Sequence, residues 1–257
     1  MRFPHLKSRE EIDRMRSAGK RVAEILFELQ EHVKPGISTG YLNEIAVKEI
    51  KKRGGTSPFL NYQPYEGVPP FPAVICTSVN EQVVHGIPSD KVVLKQGDIV
   101  GIDLGVVYEG YVGDAAVTVA VGKVRPEVRK LMQVTQQSLT EAILQCHAPN
   151  RLGDIGFAVQ TYAESHGFSV VRKYYGHGIG REMHEDPPVP NWGSAGQGAR
   201  LAPGLVIAIE PMINEGTEET IELKDKWTVA TADGKLSAHF EHTVAITEKG
   251  PEILTKL

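Results

Sequence analysis

A chain of 257 residues, 41% apolar and 23% charged, can bury the core of one large domain or two small ones. Its net charge of −4 supplies no broad basic surface, which argues against nucleic acid as the main ligand. Its two cysteines, Cys76 and Cys146, form no CxxC pair; this argues against a disulfide scaffold or a four-cysteine zinc site and makes the cytoplasm the natural compartment.

The N-terminal stretch MRFPHLKSREEID has no apolar run before its charges. No later segment approaches a membrane span, so neither export nor membrane insertion is expected. Ser8 to Glu11 reads as a capping box, and Ile12, Met15, Val22, Ile25, Leu26, Leu29 and Val33 recur at helical spacing up to Pro35-Gly36. A second helix is expected from Ser38 or Thr39, with Leu42, Ile45, Ala46 and Ile50 turned inward, ending at Gly54-Gly55. Strands follow in AVICTSV and in DIVGIDLGVVYEGYVGDAAVTVAVG.

The pattern then starts again. Pro126 opens a helix expected to reach about His147, Pro149 breaks it, and a further helix is expected from about Asp154 to His166 before more β-rich sequence. Helix, break, helix, strands thus occurs twice, in halves of about 8–122 and 125–247. No linker separates them, which favours a single α+β domain over residues 1–257 with a shared sheet. An ancient duplication would give this pattern, and so would two unrelated α+β segments.

Four acids interrupt apolar strands. Folding the chain about the midpoint between Tyr108 and Glu109 sets Asp103 opposite Asp114, and Glu210 in LVIAIEPM and Glu241 in SAHFEHTVAIT repeat the anomaly. Each alone could be a strand end or an exposed face. Together, carboxylates sharing a small space can share a proton, pair with Arg or Lys, or bind a cation. No Arg or Lys lies in these strand cores, so a metal pair is the economical answer, since carboxylate-rich sites hold two ions roughly 3.5–4 Å apart. His177, between Gly176 and Gly178, is the nearby nitrogen donor that would decide the metal. GHGIG lacks the rest of a phosphate-loop motif, and the prolines after His184 exclude the HExxH zinc helix.

With Asp103, Asp114, His177, Glu210 and Glu241 in that order, within SVNEQVVHGIPSD, IDLG, GDAAV, YGHGIGREMHEDP, IEPM and FEHT, the chain resembles the bacterial type I methionine aminopeptidases over nearly its whole length. The resemblance implies the pseudo-two-fold "pita-bread" α/β fold, with duplicated helix-helix-strand halves around a curved antiparallel sheet. It implies two divalent metal ions held by those five residues, with Asp114 and Glu241 able to touch both. Fe²⁺, Mn²⁺, Co²⁺ and Zn²⁺ all suit the donor set. Glu210 would be the general base, His184 would hydrogen-bond the scissile carbonyl or developing oxyanion, and His85 would contact the peptide nitrogen or leaving amine. The expected methionine pocket comprises Tyr62, Tyr65, Cys76, His85, Met183, His184 and Trp227.

The implied substrate is the N-terminal methionine of nascent chains with a small second residue, acted on by a monomer with a transient ribosome contact left open. Three departures from the family pattern stand out: Met183 in place of phenylalanine, Gly105 and Ala208 where threonine is expected, and the segment Glu66 to Pro72, expected as a stiff, extended excursion rimming the substrate mouth. The competing readings are a pita-bread peptidase that cleaves before proline, which generally carries an additional N-terminal domain, and a non-catalytic module, which has no need of these ligands.

Overall fold

The computed structural model describes residues 5–257; residues 1–4, where the expected single domain and leaderless N-terminus begin, lie outside the described residues. Helices α1 (Arg9–His32) and α2 (Thr39–Lys52) lead into β1 (Cys76–Val79), β2 (Gln82–Val84), β3 (Ile99–Tyr108) and β4 (Tyr111–Ala120). Helices α3 (Pro126–Leu144) and α4 (Leu152–Ser165) follow, then β5 (Ser169–Val170), β6 (Gly176–Gly178), β7 (Glu185–Val189), β8 (Val206–Ile209) and β9 (Met212–Asn214). The chain closes with β10 (Thr220–Glu222), β11 (Val229–Thr231), β12 (Ser237–His239), β13 (His242–Thr247) and β14 (Gly250–Ile253). No described helix is long and apolar enough to cross a membrane.

Local chemistry sets the helix ends. Ser8 and Glu11 cap α1 reciprocally, each side chain accepting the other's backbone N–H. Ser38 caps α2, and Pro126 occupies the first turn of α3. Two boundaries differ from the sequence reading. Asp154, expected to open α4, lies in its first turn and accepts the Arg151 backbone N–H at 2.7 Å, so the helix starts earlier. Helix α3 stops before His147, where the chain turns with Asn150 donating to the Gln145 carbonyl.

All strand pairings are antiparallel, and they form four hydrogen-bonded groups: β1-β3-β4, β10-β11-β2, β12-β9-β5 and β14-β13-β8-β6-β7. The group containing β4 is tied to the segment between β12 and β13 by the Glu241 N–H to the Ala116 carbonyl, and by Thr118 Oγ1, which donates to the His239 carbonyl.

Alternation along β3 and β4 separates core from site. Ile102, Leu104 and Ala115 face α1 and α2, packing with Val22, Ile25, Leu29, Leu42 and Ala46. Asp103 and Asp114 therefore point from the other face. In the second half, Leu131, Ile155 and Val159 cover Ile207, Ile209, Val244 and Ile246 in the same way. The helices shield one face of the strands and the acids line the other.

The β3–β4 register corrects the expected one. The turn is Glu109-Gly110, both with positive φ (50° and 76°), the geometry of a two-residue hairpin loop, and Tyr108 pairs with Tyr111. Asp103 consequently faces Ala116, and Asp114 faces Gly105. A shift of two residues preserves the side-chain face, so the carboxylates are diagonal neighbours on one surface and avoid direct opposition. The other two acids also sit differently from the expectation of strand interiors. Glu210 follows the last residue of β8, and Glu241 lies between β12 and β13.

Helix α1 approaches β4 backbone to backbone. A Cβ on Gly113 would lie 2.6 Å from the Gly19 nitrogen, and one on Gly19 would lie 2.4 Å from the Leu254 carbonyl oxygen. Neither glycine has positive φ, so the requirement is steric. Gly113→Ala should destabilise the protein by about 1–3 kcal/mol through overpacking, read as a lower urea midpoint at unchanged m. An unchanged midpoint would show that α1 can move off the sheet.

Candidate metal centre and substrate cavity

The five expected ligands come together from strand interiors and from strand breaks. Asp103 and Asp114 come from the β3–β4 hairpin, His177 from the middle of β6, and Glu210 and Glu241 from the interruptions after β8 and before β13. Those interruptions suit their role, because a carboxylate within a continuous ladder would point squarely to one face, whereas a break lets it be aimed. Ligating atoms of Asp114, His177 and Glu241 all lie within 4.8 Å of one another. His177 Nε2 is 3.6 Å from Glu210 Oε1 and 3.9 Å from Asp114 Oδ2. Asp103 lies against Cys76 in the β1–β3 register.

No described basic side chain compensates these carboxylates, although Asp114 and Glu241 hydrogen-bond each other. Among the described residues none of the four pairs with a lysine or arginine, and Asp103 Oδ1, Asp114 Oδ1 and Glu241 Oε1 have no hydrogen-bond partner. Burial pushes Asp103 up to about 7. Burial, with the charges of neighbouring acids added, pushes Asp114, Glu210 and Glu241 well above the carboxylate range. The histidines go the other way. Burial and the proximity of His184 lower His177 to about 3 and His85 to about 4, and burial lowers His184 itself. The His177 ring bonds the Gly178 carbonyl at 2.9 Å, which places its proton on Nδ1 and leaves the Nε2 lone pair facing the acids. An unpartnered acid cluster completed by an imidazole lone pair is a donor set that fits divalent cations.

A cavity of about 480 Å³ opens onto this cluster. Its lining includes Tyr62, Tyr65, Cys76, His85, Met183, His184 and Trp227, together with all five acid and histidine ligand candidates. Trp227 is its centre, with the Phe71 ring at 5.1 Å edge-on, Tyr62 at 6.4 Å and His85 at 6.3 Å. His184 stands over His177 with ring centroids 4.5 Å apart, and its Nδ1 contacts the Tyr62 hydroxyl at 3.2 Å. His85 holds a positive φ of 60°, a conformation rare outside glycine and found where a site fixes its side chain. Burial and the nearby carboxylates keep the Cys76 thiol protonated, so it serves as a small wall.

The Glu66–Pro72 segment is not an extended excursion. It doubles back, with the Asn61 and Phe71 backbone N–H groups donating to Phe71 and Tyr62 carbonyls. Trp227 Nε1 donates to the Pro69 carbonyl and Lys226 Nζ to that of Gly67, while Val68 and Phe71 are buried. Two buried apolar side chains outweigh the stiffness of the prolines, and the segment becomes cavity wall. The space beside Gly105 has a related explanation: a Cβ there would meet Pro58 and Phe59, which fill it.

Several residues around the site escaped the sequence reading. His239 is buried, its Nε2 unpartnered and 4.0 Å from Glu210 Oε2. Thr243 exchanges hydrogen bonds with the Asp114 backbone on both sides. Asn191 donates to the Glu210 carbonyl, and Phe59 and Tyr174 line the cavity. The polar residues flanking FEH were the only available signal for His239 and Thr243; Asn191 and Phe59 carried none.

Residues 13–248 match the description of metallopeptidase family M24. A methionine aminopeptidase from Aquifex aeolicus is 49% identical over 98% of both chains. The crystal structure of methionine aminopeptidase from Rickettsia prowazekii superposes with a TM-score of 0.95 at 43% identity, covering 98% of this chain and all of that one. Prolidase from Pyrococcus furiosus shares the fold alone, with a TM-score of 0.76 and 22% identity over 98% of this chain and 65% of its own. Near-complete mutual coverage with the first two, in sequence and in space, leaves one assignment: the chain belongs to metallopeptidase family M24 and has its pita-bread fold.

Proposed function

We propose that this protein is a metal-dependent aminopeptidase that removes N-terminal methionine from peptides and nascent chains with a small second residue. The observation that carries the reading is the uncompensated cluster of Asp103, Asp114, Glu210 and Glu241 with His177 at the mouth of an aromatic-lined cavity. Full-length likeness to methionine aminopeptidases supports it, against the partial coverage of the prolidase. We read the chain as one domain.

Asp103, Asp114, His177, Glu210 and Glu241 would hold two divalent ions. Two doubly charged ions balance four carboxylates, whereas one leaves two uncompensated. Such ions supply a water of lowered pKa and polarise a carbonyl.

The remaining work falls to side chains. Glu210, aimed at the site from the break after β8, takes the proton from the attacking water. The Tyr62 hydroxyl lies 3.2 Å from Nδ1 of His184; with that hydroxyl as donor, the ring would carry its proton on Nε2 and donate to the oxygen on which negative charge develops. His85, fixed between Trp227 and Tyr174, faces the leaving amine. Methionine's thioether would occupy the pocket of Tyr62, Tyr65, Cys76, Met183 and Trp227, where polarisable sulfur packs well on aromatic edges.

Anaerobic assays of Met-Ala-Ser and Ala-Pro-Ala with Fe²⁺, Mn²⁺ or Co²⁺ restored to chelated protein test the reading. Methionine release is expected, falling at least about 10²-fold in Glu210→Gln and about 10²–10³-fold in His184→Ala. Cleavage only before proline would assign the prolidase-like activity instead.

Stability supplies a second test. Glu241 is a carboxyl raised in the folded state, so its contribution to stability is full below the unfolded carboxylate pKa and is lost as pH rises through its folded value. In chelated protein Glu241→Gln should therefore be more stable than wild type by about 1–2 kcal/mol at pH 8, with a smaller gap at pH 5. Saturating Mn²⁺ should reverse the order, because only the intact cluster gains binding free energy. Thermal unfolding at both pH values checks this, and a variant less stable under chelation would contradict it.

A further inference from the structure

Among the described residues outside the acid cluster, the most deeply buried cation is Lys7, whose side chain is 2% exposed. Its Nζ lies 2.6 Å from Glu185 Oε2, while Glu185 Oε1 accepts the backbone N–H groups of Arg181 and Glu182 at 2.9 and 3.2 Å. Burial pushes the Glu185 carboxyl up, but the Lys7 hydrogen bond and charge and the two amides outweigh it and hold the group below its ordinary value. The backbone is fastened as well, since the Lys7 N–H donates to the Gly204 carbonyl at 2.7 Å.

The pair requires the glycine beside it. A Cβ on Gly180 would lie 2.5 Å from Glu185 Oε1 and 2.6 Å from Lys7 Cε. Gly180 is also bound to Val112 and Glu182 through its backbone, so the turn between β6 and β7 is held along its inner side while Arg181, Glu182 and His184 are exposed. That turn carries His184, the residue immediately before Glu185. By contrast, the His184 side chain makes one hydrogen bond of its own, to the half-exposed Tyr62 hydroxyl, beside its edge-on ring contact with His177. Its aim over His177 therefore depends on where Glu185 is held.

We infer that Lys7 is a positioning residue for His184: the buried Lys7–Glu185 pair anchors the start of β7 and so sets the direction of the His184 imidazole at the site. The segment before α1, distant in sequence, thereby becomes part of the catalytic apparatus. Its catalytic consequence rests on the role given to His184 above.

A double-mutant cycle separates positioning from general stability. Lys7→Met in metal-loaded enzyme should lower kcat on Met-Ala-Ser by about 10–100-fold with KM changed by less than about 3-fold, the scale of a misplaced catalytic group. In a His184→Ala background the same substitution should change kcat by less than about 2-fold, because the group it aims is gone. Equal losses in both backgrounds, or an unchanged kcat, would overturn the inference. Glu185→Gln keeps an acceptor for the two amides while breaking the ion pair, and is expected to behave like Lys7→Met.

Histidine-ring NMR of the chelated protein gives a readout free of activity. Lys7→Met should move the His184 ring signals and leave those of His239 in place; unmoved His184 signals would defeat the proposal. If wild type releases no methionine with any metal, the functional reading fails and the NMR result alone decides this one.

Discussion

Four buried carboxylates that repel one another, with no basic side chain to neutralise them, set the terms for the rest of this molecule. Placing even one such charge in a dry interior is costly, and breaking the compensation of buried charges typically costs several kcal/mol. The core must therefore be good enough to carry the cluster before any cation is bound. The two layers of helices do this by sealing the opposite strand face, where residues such as Ile102, Leu104, Ile207 and Val244 are wholly buried. Stability is drawn from one face of the strands and chemistry is placed on the other.

Strand geometry explains how acids from three separate places converge. A continuous hairpin contributes Asp103 and Asp114 from one face, offset diagonally, and two interrupted strand pairs contribute Glu210 and Glu241 at their breaks. Thr243 and Asn191 bond to the backbone of Asp114 and Glu210 and leave the carboxylate oxygens free. Fixing an acid through its main chain is economical, because it spends no acceptor that a cation would need.

Much of this was legible in the sequence, and the failures have physical reasons. The acids stood out because charged residues are conspicuous in apolar strands, and Ser8, Pro126 and the glycine breaks marked the helices. The hairpin register was misjudged by placing the turn centre one bond too early, yet the acids still shared a face, since a slip of two leaves the side-chain period intact. The Glu66–Pro72 segment was misread because proline stiffness is visible locally, whereas burial of Val68 and Phe71 depends on Trp227, far along the chain. Gly105, where threonine was expected, borders a space filled by Pro58 and Phe59. The last two misses turn on contacts distant in sequence, whereas the register turns on the local geometry of one hairpin loop.

The same burial that makes the acids costly also prepares the histidines. An acidic neighbourhood ordinarily raises an imidazole's pKa, yet burial dominates at His85, His177 and His239 and moves them down, and the more exposed His184 moves the same way. Neutral rings retain one lone pair and one proton each. His177 can then offer its lone pair to a cation, and His184 its proton to an oxygen, at neutral pH and without a change of protonation state. Were these groups more exposed, the carboxylates would cost less and the imidazoles would charge, losing the lone pair that His177 needs. Burial is thus a condition of the donor set as well as its cost, which is why Trp227, Phe71 and the folded-back segment belong to the site as much as the ligands do.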